Sequence, residues 1–219
     1  MGVDLRLYAL VDPAVAGGRT LPVLAAQIAG SATLVQLRDK HGSTRAMIEE
    51  ARGLRAVLEP KGIPLLVNDR VDVALAAEAD GVHIGQDDMA VPDARLLLGR
   101  SAVIGLSIKT VQQAEAAPLP LLDYVAIGGV YATTSKDNTS TPIGLTGLRR
   151  IVEVIHARKA GFPICAIAGI NAANAGEVIS AGADGVAVIS ALSLAPDPGR
   201  AAQELRAVVD GALAQRGAP

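Results

Sequence analysis

Eight short apolar runs, each followed by a stretch of helical character, restrict the fold of this chain more than any other feature of its sequence. The runs are Leu5–Val11, Thr33–Arg38, Pro64–Asp69, Gly81–Gly85, Val103–Ile108, Asp123–Gly129, Phe162–Gly169 and Gly185–Ser190. Candidate helices rich in Ala and Leu lie near Leu21–Ala29, Ser43–Glu59, Val71–Ala79, Val91–Leu98, Thr110–Ala116, Leu145–Ala157, Ala172–Ala181 and Pro198–Ala214. Strands alternating with helices predict a parallel sheet with helices outside it. Eight such units favour closure into a (β/α)8 TIM barrel over an open doubly wound sheet. The 219 residues suit the short end of that fold's size range and show no composition shift, so residues 1–219 are expected to form a single domain. Ala79-Asp80-Gly81-Val82 and Ala183-Asp184-Gly185-Val186 echo each other as a helix stop followed by a strand start. A left-handed glycine past the helix end is expected at both.

Composition removes several function classes. The chain carries 20 basic and 22 acidic residues, a formal charge of −2, so it offers no basic face for nucleic acid. Aromatic residues make up 2% and Trp is absent, which leaves little for base stacking. The single cysteine, Cys165, lies in the apolar run Phe162–Ile167; no intrachain disulfide can form, and a small core residue is expected there. Met1–Leu7 contains Asp4 and does not read as a signal peptide, and no segment reaches the ~20 apolar residues of a membrane span. A soluble, cytoplasmic protein with no membrane partner is expected.

The catalytic face of such a barrel lies at the carboxyl ends of its strands. There the second run ends in Gln36-Leu37-Arg38-Asp39-Lys40, the third in Asn68-Asp69, and the fourth is followed by Gln86-Asp87-Asp88. The fifth ends near Ser107, the sixth leads to Thr133, Ser135 and Lys136, and the last two end in Ala168-Gly169-Ile170 and Ile189-Ser190. Gln36, Arg38 and Lys40 share parity, so an extended segment points them one way, and their two cations call for an anion between them. Asp69 and Asp88 come from neighbouring strands and could share a cation; oxygen ligands with room for water suit magnesium. Cations beside a carboxylate-held metal suit a diphosphate. The small, uncharged ends Gly169-Ile170 and Ile189-Ser190 suit a phosphate monoester bound by backbone amides. Two phosphorylated substrates account for both sites.

Blander roles exist for each residue. Arg38 and Lys40 could be a solvated pair, Asp69, Asp87 and Asp88 could cap helices, and Gly169 and Ser190 could be turn and cap residues. His83 is expected to be a hydrogen-bonded core residue, and His41 and His156 surface residues. Taken together these roles explain poorly why seven strand ends are polar or glycine-bearing. There is no Gly-x-Gly-x-x-Gly, no Walker A loop, no Gly-x-Ser-x-Gly and no Cys/His cluster. The least regular stretch, Tyr131 to Gly144, is long for a plain connector.

Gln36-Leu37-Arg38-Asp39-Lys40, Val67-Asn68-Asp69, Gly81-Val82-His83-Ile84-Gly85-Gln86-Asp87-Asp88, Ile104-Gly105-Leu106-Ser107 and Ala183-Asp184-Gly185-Val186 together resemble the thiamine-phosphate synthase family, in order from about Tyr8 to Val209. The resemblance implies condensation of a hydroxymethylpyrimidine diphosphate with a thiazole phosphate, releasing diphosphate. It implies that Gln36, Arg38 and Lys40 hold the pyrimidine diphosphate with Asn68 and Ser107, and that Asp69 and Asp88 bind magnesium. Lys136 would contact the diphosphate, Thr133 and Ser135 would flank the thiazole phosphate, and Gly169, Ile189 and Ser190 would give it backbone contacts. Arg38, Lys40, Ser107 and Lys136 are the expected catalytic residues. The chain departs from the family pattern at Ile108-Lys109, where a small residue and then His are expected, at Ala132, and at Ala168, where a second glycine is expected. The rival readings are a thiazole tautomerase, which needs a general acid/base where Lys109 stands, another phosphate-binding barrel isomerase, which would not need Asp69 and Asp88 as a pair, and a barrel that binds thiamine phosphates without turnover. A symmetric homodimer is the expected assembly, as the commonest oligomer.

Overall fold

The computed structural model describes residues 2–133 and 141–217. Its eight strands are β1 (Leu7–Val11), β2 (Leu34–Leu37), β3 (Leu65–Asn68), β4 (Gly81–Ile84), β5 (Val103–Ile108), β6 (Tyr124–Ile127), β7 (Ile164–Ile167) and β8 (Gly185–Val188). Each pairs in parallel with the next, and β8 returns to β1 through Leu7↔Val186, Tyr8↔Ala187 and Ala9↔Val188, closing the barrel. The helices are α1 (Leu21–Ile28), α2 (Thr44–Leu58), α3 (Val71–Ala77), α4 (Val91–Leu98), α5 (Val111–Ala116), α6 (Gly144–Arg158), α7 (Ala175–Ser180), α8 (Ser190–Ser193) and α9 (Pro198–Gly217). None of them is long and apolar enough to cross a membrane.

Local sequence accounts for the helix starts. Ser43 caps α2, its Oγ accepting from Ala46 N at 3.3 Å, and α2 buries Met47, Ala51, Leu54 and Leu58 along one stripe. Thr110 and Gln113 form a reciprocal capping box on α5. Strand residues alternate between two cores. Leu7, Ala9, Val11, Val35, Leu65, Val82 and their counterparts face the helices. Tyr8, Leu10, Leu34, Leu66, Tyr124, Cys165 and Ala187 fill the barrel interior. Cys165 is the buried core residue expected.

A repeated staple sets the base of the barrel. The residue just before each even-numbered strand accepts a hydrogen bond from one of the first two amides of the preceding strand. Thr33 Oγ accepts from Leu7 N at 3.0 Å, Asp80 from Leu65 N at 2.7 Å, Asp123 from Ile104 N at 2.8 Å and Asp184 from Ile164 N at 3.0 Å. This explains the Ala-Asp-Gly-Val echo and corrects its expected glycine role. Gly81 and Gly185 are not left-handed; Glu78 (φ 53°) and Gly182 (φ 111°) are. A Cβ on Gly81 would lie 1.9 Å from Val103 O, and one on Gly185 would lie 1.7 Å from Leu5 O. These glycines admit a neighbouring strand's backbone.

Several expected strands are shorter in the structure because their polar ends leave the sheet. Asp69 has φ 63°, Ala168 φ 90° and Gly169 φ 65°, so β3 stops at Asn68 and β7 at Ile167. Ser190, expected as a strand end, instead opens α8. Helix α7 starts at Ala175 rather than Ala172, because Asn171 and Asn174 close a turn before it: Asn174 Oδ1 accepts from Asn171 N at 2.9 Å, and Asn171 Oδ1 from Ala173 N at 2.9 Å.

Candidate active site

The carboxyl ends of β1 to β4 carry paired charges. Arg38, just past β2, binds Asp12, just past β1, with side chains only 13% and 4% exposed. Lys40 reaches the other way to Asp69 past β3. Each of these two cations thus has its own carboxylate on a neighbouring strand. A solvated surface pair is also excluded for Arg38 by its burial. Asp12 was missed from the sequence, although Val11-Asp12 ends the first apolar run as plainly as Asn68-Asp69 ends the third. It also caps the turn Pro13–Val15 through Ala14 N, which hides its second role.

Asp69 does not cap α3, whose N-cap Arg70 makes no side-chain cap bond, and Asp88 does not cap α4. Asp88 Oδ2 instead accepts from Gly85 N at 2.7 Å, folding the loop after β4 back so that the Asp88 carboxyl meets that of Asp69. Burial pushes the Asp69 carboxyl above its ordinary value; Lys40 pulls it down, while the hydrogen bond and charge of Asp88 push it up again. Two carboxylates forced together in this way are the oxygen donors that could hold a hard divalent cation. Among the described residues no group of three or more His, Cys, Asp and Glu side chains converges for a metal.

Below this rim the interior is polar on one side. Gln36, His83 and Tyr124 are buried, and His83 is hydrogen-bonded on both ring nitrogens, to Tyr124 OH at 2.8 Å and Ser107 Oγ at 2.9 Å, as expected for a core histidine. Gln36 Oε1 and Asn68 Nδ2 are buried with no hydrogen-bond partner among the described residues. Such atoms are costly unless something binds them. Gln86 Nε2 donates to Ser107 O at 2.6 Å, tying the β4 loop to the end of β5. His41 is exposed as expected; His156 is half-buried and bonds Phe162 O at 3.2 Å, so it is a fold residue rather than a plain surface one.

Across the mouth, four and three strands away from β3 in the closed order, a cavity of about 490 Å³ opens at the ends of β7 and β8. Thr133, Gly169, Ile170, Ile189 and Ser190 line it. Gly169 could not be another residue: a Cβ there would lie 2.5 Å from Ala132 O and 2.7 Å from Tyr131 Cβ. Asn174 Nδ2 donates to Gly169 O at 2.9 Å and holds the loop in place. Ala168 keeps the glycine-type backbone (φ 90°) despite its methyl group. Ala168→Gly is therefore expected to stabilise the protein by about 1 kcal/mol, read as a higher midpoint in urea unfolding; an unchanged or lower midpoint would show that the loop carries no strain. Ser135 and Lys136 lie outside the described residues.

Fold and site together define a phosphate-handling (β/α)8 barrel enzyme: a cationic, carboxylate-bearing rim on β1 to β4 faces a small-residue cavity on β7 and β8. The comparisons with known proteins agree. The family model described as thiamine monophosphate synthase matches residues 7–192. A thiamine-phosphate synthase of Chloroflexus aurantiacus is 50% identical over 94% of each chain, and one of Agrobacterium fabrum is 48% identical over 98% of each. A thiamine phosphate pyrophosphorylase from Pyrococcus furiosus superposes with a TM-score of 0.83 at 36% identity, covering 96% of this chain and 98% of its own. A 3-hexulose-6-phosphate synthase, at 19% identity and TM-score 0.61, shares the fold. The chain belongs to the thiamine monophosphate synthase family.

Proposed function

We infer that this protein is a thiamine-phosphate synthase, a transferase of thiamine biosynthesis, and propose how its residues divide the work. The observation that supports the division is the separation of the charged rim on β1 to β4 from the small-residue cavity on β7 and β8. The pyrimidine diphosphate lies on the β2–β5 side. Its ring meets Gln36 Oε1, Asn68 Nδ2 and the Ser107 hydroxyl, and its diphosphate meets Arg38 and Lys40. Lys136, which follows β6 in the sequence, adds a third cation. The thiazole phosphate lies in the β7–β8 cavity against Gly169, Ile189 and Ser190, flanked by Thr133; Ser135, two residues further along the sequence, would flank it as well.

Reaction breaks the bond between the pyrimidine methylene carbon and the diphosphate oxygen, and the electron pair leaves with diphosphate. The electron-rich aminopyrimidine stabilises the positive methylene, and the thiazole nitrogen supplies the pair for the new C–N bond. No protein nucleophile is needed. Arg38, Lys40 and Lys136 stabilise charge that grows on the leaving group, where fixed cations lower the barrier most. Asp69 and Asp88 would hold magnesium, and when bound that ion supplies further positive charge to the diphosphate oxygens. Two adjacent carboxylates, one of them pushed up by burial and by the other, fit such an ion, because its charge relieves their repulsion. A cytoplasmic location accords with the single buried thiol.

The direct test supplies both phosphorylated substrates with magnesium or with chelator and follows thiamine phosphate by chromatography. Product is expected with magnesium and at least ~10²-fold less with chelator. Equal rates in both would remove the metal role of Asp69 and Asp88. No product from intact substrates would remove the synthase reading.

A further inference from the structure

Four hydrogen bonds cross the barrel interior from β2 to β5. The Gln36 amide bonds Tyr8 OH, Tyr8 OH bonds Tyr124 OH at 2.9 Å, Tyr124 OH bonds His83 Nδ1 at 2.8 Å, and His83 Nε2 bonds Ser107 Oγ at 2.9 Å. Tyr8 and Tyr124 are 1% and 0% exposed. Their rings meet edge to face at 5.8 Å, and the His83 ring stacks on Tyr124 at 5.6 Å. Gly105 makes the chain sterically possible: a Cβ there would lie 2.0 Å from the Tyr124 ring. Burial pushes both phenols far above their ordinary range, so each keeps a single proton at any working pH.

With a neutral His83, proton counting then leaves two arrangements. If the Gln36 NH2 group and Tyr124 OH both donate to Tyr8, the Tyr8 proton has no acceptor at a fully buried position, which is costly. Either Tyr8 donates to Tyr124, or the Gln36 amide turns so that Oε1 accepts from Tyr8. In the first arrangement Tyr124 donates to His83 Nδ1, a neutral His83 donates from Nε2 to Ser107, and the Ser107 proton points onward. Gln36 then offers its unpartnered Oε1 to the site. In the second arrangement every bond reverses: Ser107 donates to His83, Gln36 offers an NH2 donor, and Ser107 offers a lone pair. Turning the amide exchanges N for O in place, so both senses satisfy the same heavy atoms.

We propose that Tyr8, Tyr124 and His83 are positioning residues that couple Gln36 to Ser107, so that when one presents an acceptor to the substrate ring the other presents a donor. This rests on the placement of the pyrimidine under the proposed function. An aminopyrimidine edge carries both an N–H donor and a ring-nitrogen acceptor, and the chain makes the two ends recognise that pair as a unit. A ring with two donors or two acceptors would find one end mismatched. Residues three strands apart, with no direct hydrogen bond between them, thereby act as one recognition element.

The test is a mutant cycle on binding of the pyrimidine diphosphate, read by calorimetry. Gln36→Leu and Ser107→Ala are each expected to weaken binding about 10-fold. In the presence of Tyr124 the double variant is expected to lose far less than the product of the two, because breaking either end already releases the other. With Tyr124→Phe, which keeps the ring and removes the link, the two losses are expected to multiply. Losses that multiply with Tyr124 intact would overturn the coupling while leaving the pyrimidine placement standing. Unchanged binding in both single variants would overturn the placement and the coupling together. Tyr8→Phe breaks the same chain at another link and serves if Tyr124→Phe does not fold. A merely structural role for the tyrosines would lower stability in either variant without changing how the Gln36 and Ser107 effects combine.

Discussion

Arg38→Ala is expected to lower turnover by about 10³-fold and stability by about 3 kcal/mol. The two losses have different origins. Turnover falls because a fixed cation at the departing diphosphate is gone. Stability falls because the carboxyl of Asp12, only 4% exposed, loses its cationic partner. The second variant Arg38→Ala/Asp12→Asn separates them. Asn retains an oxygen to accept from Ala14 N, so the cap survives and most of the stability is expected to return. The turnover is expected to stay low. Steady-state kinetics and urea unfolding on the same two proteins decide the matter. Near-normal turnover for Arg38→Ala would remove Arg38 from the reaction, and full stability would show that the Arg38–Asp12 pair does not hold the β1–β2 rim.

Asp69→Asn is expected to have opposite effects on activity and on the metal-free fold. Burial, reinforced by Asp88, outweighs Lys40 and holds the Asp69 carboxyl above its ordinary value. The folded protein thus holds this proton more tightly than the unfolded chain. Its contribution is favourable below the ordinary carboxylate value and is lost as pH rises through the raised one, so at neutral pH the ionised group costs stability. Asn removes that cost and tolerates the left-handed backbone (φ 63°) of this position. With chelator at neutral pH the variant is expected to melt higher than the parent, and the gap should close as pH falls toward the carboxylate range. Magnesium should raise the melting temperature of the parent and leave that of the variant in place, while activity of the variant falls at least ~10²-fold. A variant that melts lower with chelator would show that the Lys40 pair outweighs the burial and the Asp88 repulsion. Equal magnesium stabilisation of both proteins would move the ion elsewhere.

Both experiments concern residues that the linear order makes visible to different degrees. Asp69 and Asp88 stand at strand ends where a barrel puts its chemistry, and their types suit the cation expected of them. Asp12 stands at such an end too, but it is followed by Pro13 and reads as a turn residue. Its ion pair with Arg38 needs the registry of β1 on β2, Val11 beside Leu37, which no local pattern specifies. The shared parity of Gln36, Arg38 and Lys40 was legible; their diverging partners were not, because the chain leaves the strand after Leu37 and each long side chain follows the nearest carboxylate.

The sequence by itself determined the eight-unit barrel, the helices beginning near Ser43 and Thr110, the burial of Cys165, and the polar rim on one face. All of these follow from short-range rules, in which alternation sets strands, a 3.6-residue period sets helices, and side-chain oxygens cap amides. Only the tertiary structure decided which neighbours those residues meet. Closure of β8 onto β1 brings Tyr8 of β1 and Tyr124 of β6 into one interior, where Tyr124 meets His83 and Tyr8 meets Gln36. It turns two glycines expected at helix ends into close-approach points between strands, and it presses Asp69 against Asp88. The physical reason is that burial and contact between residues far apart in sequence are properties of the closed sheet, whose interior exists only after all eight strands have paired.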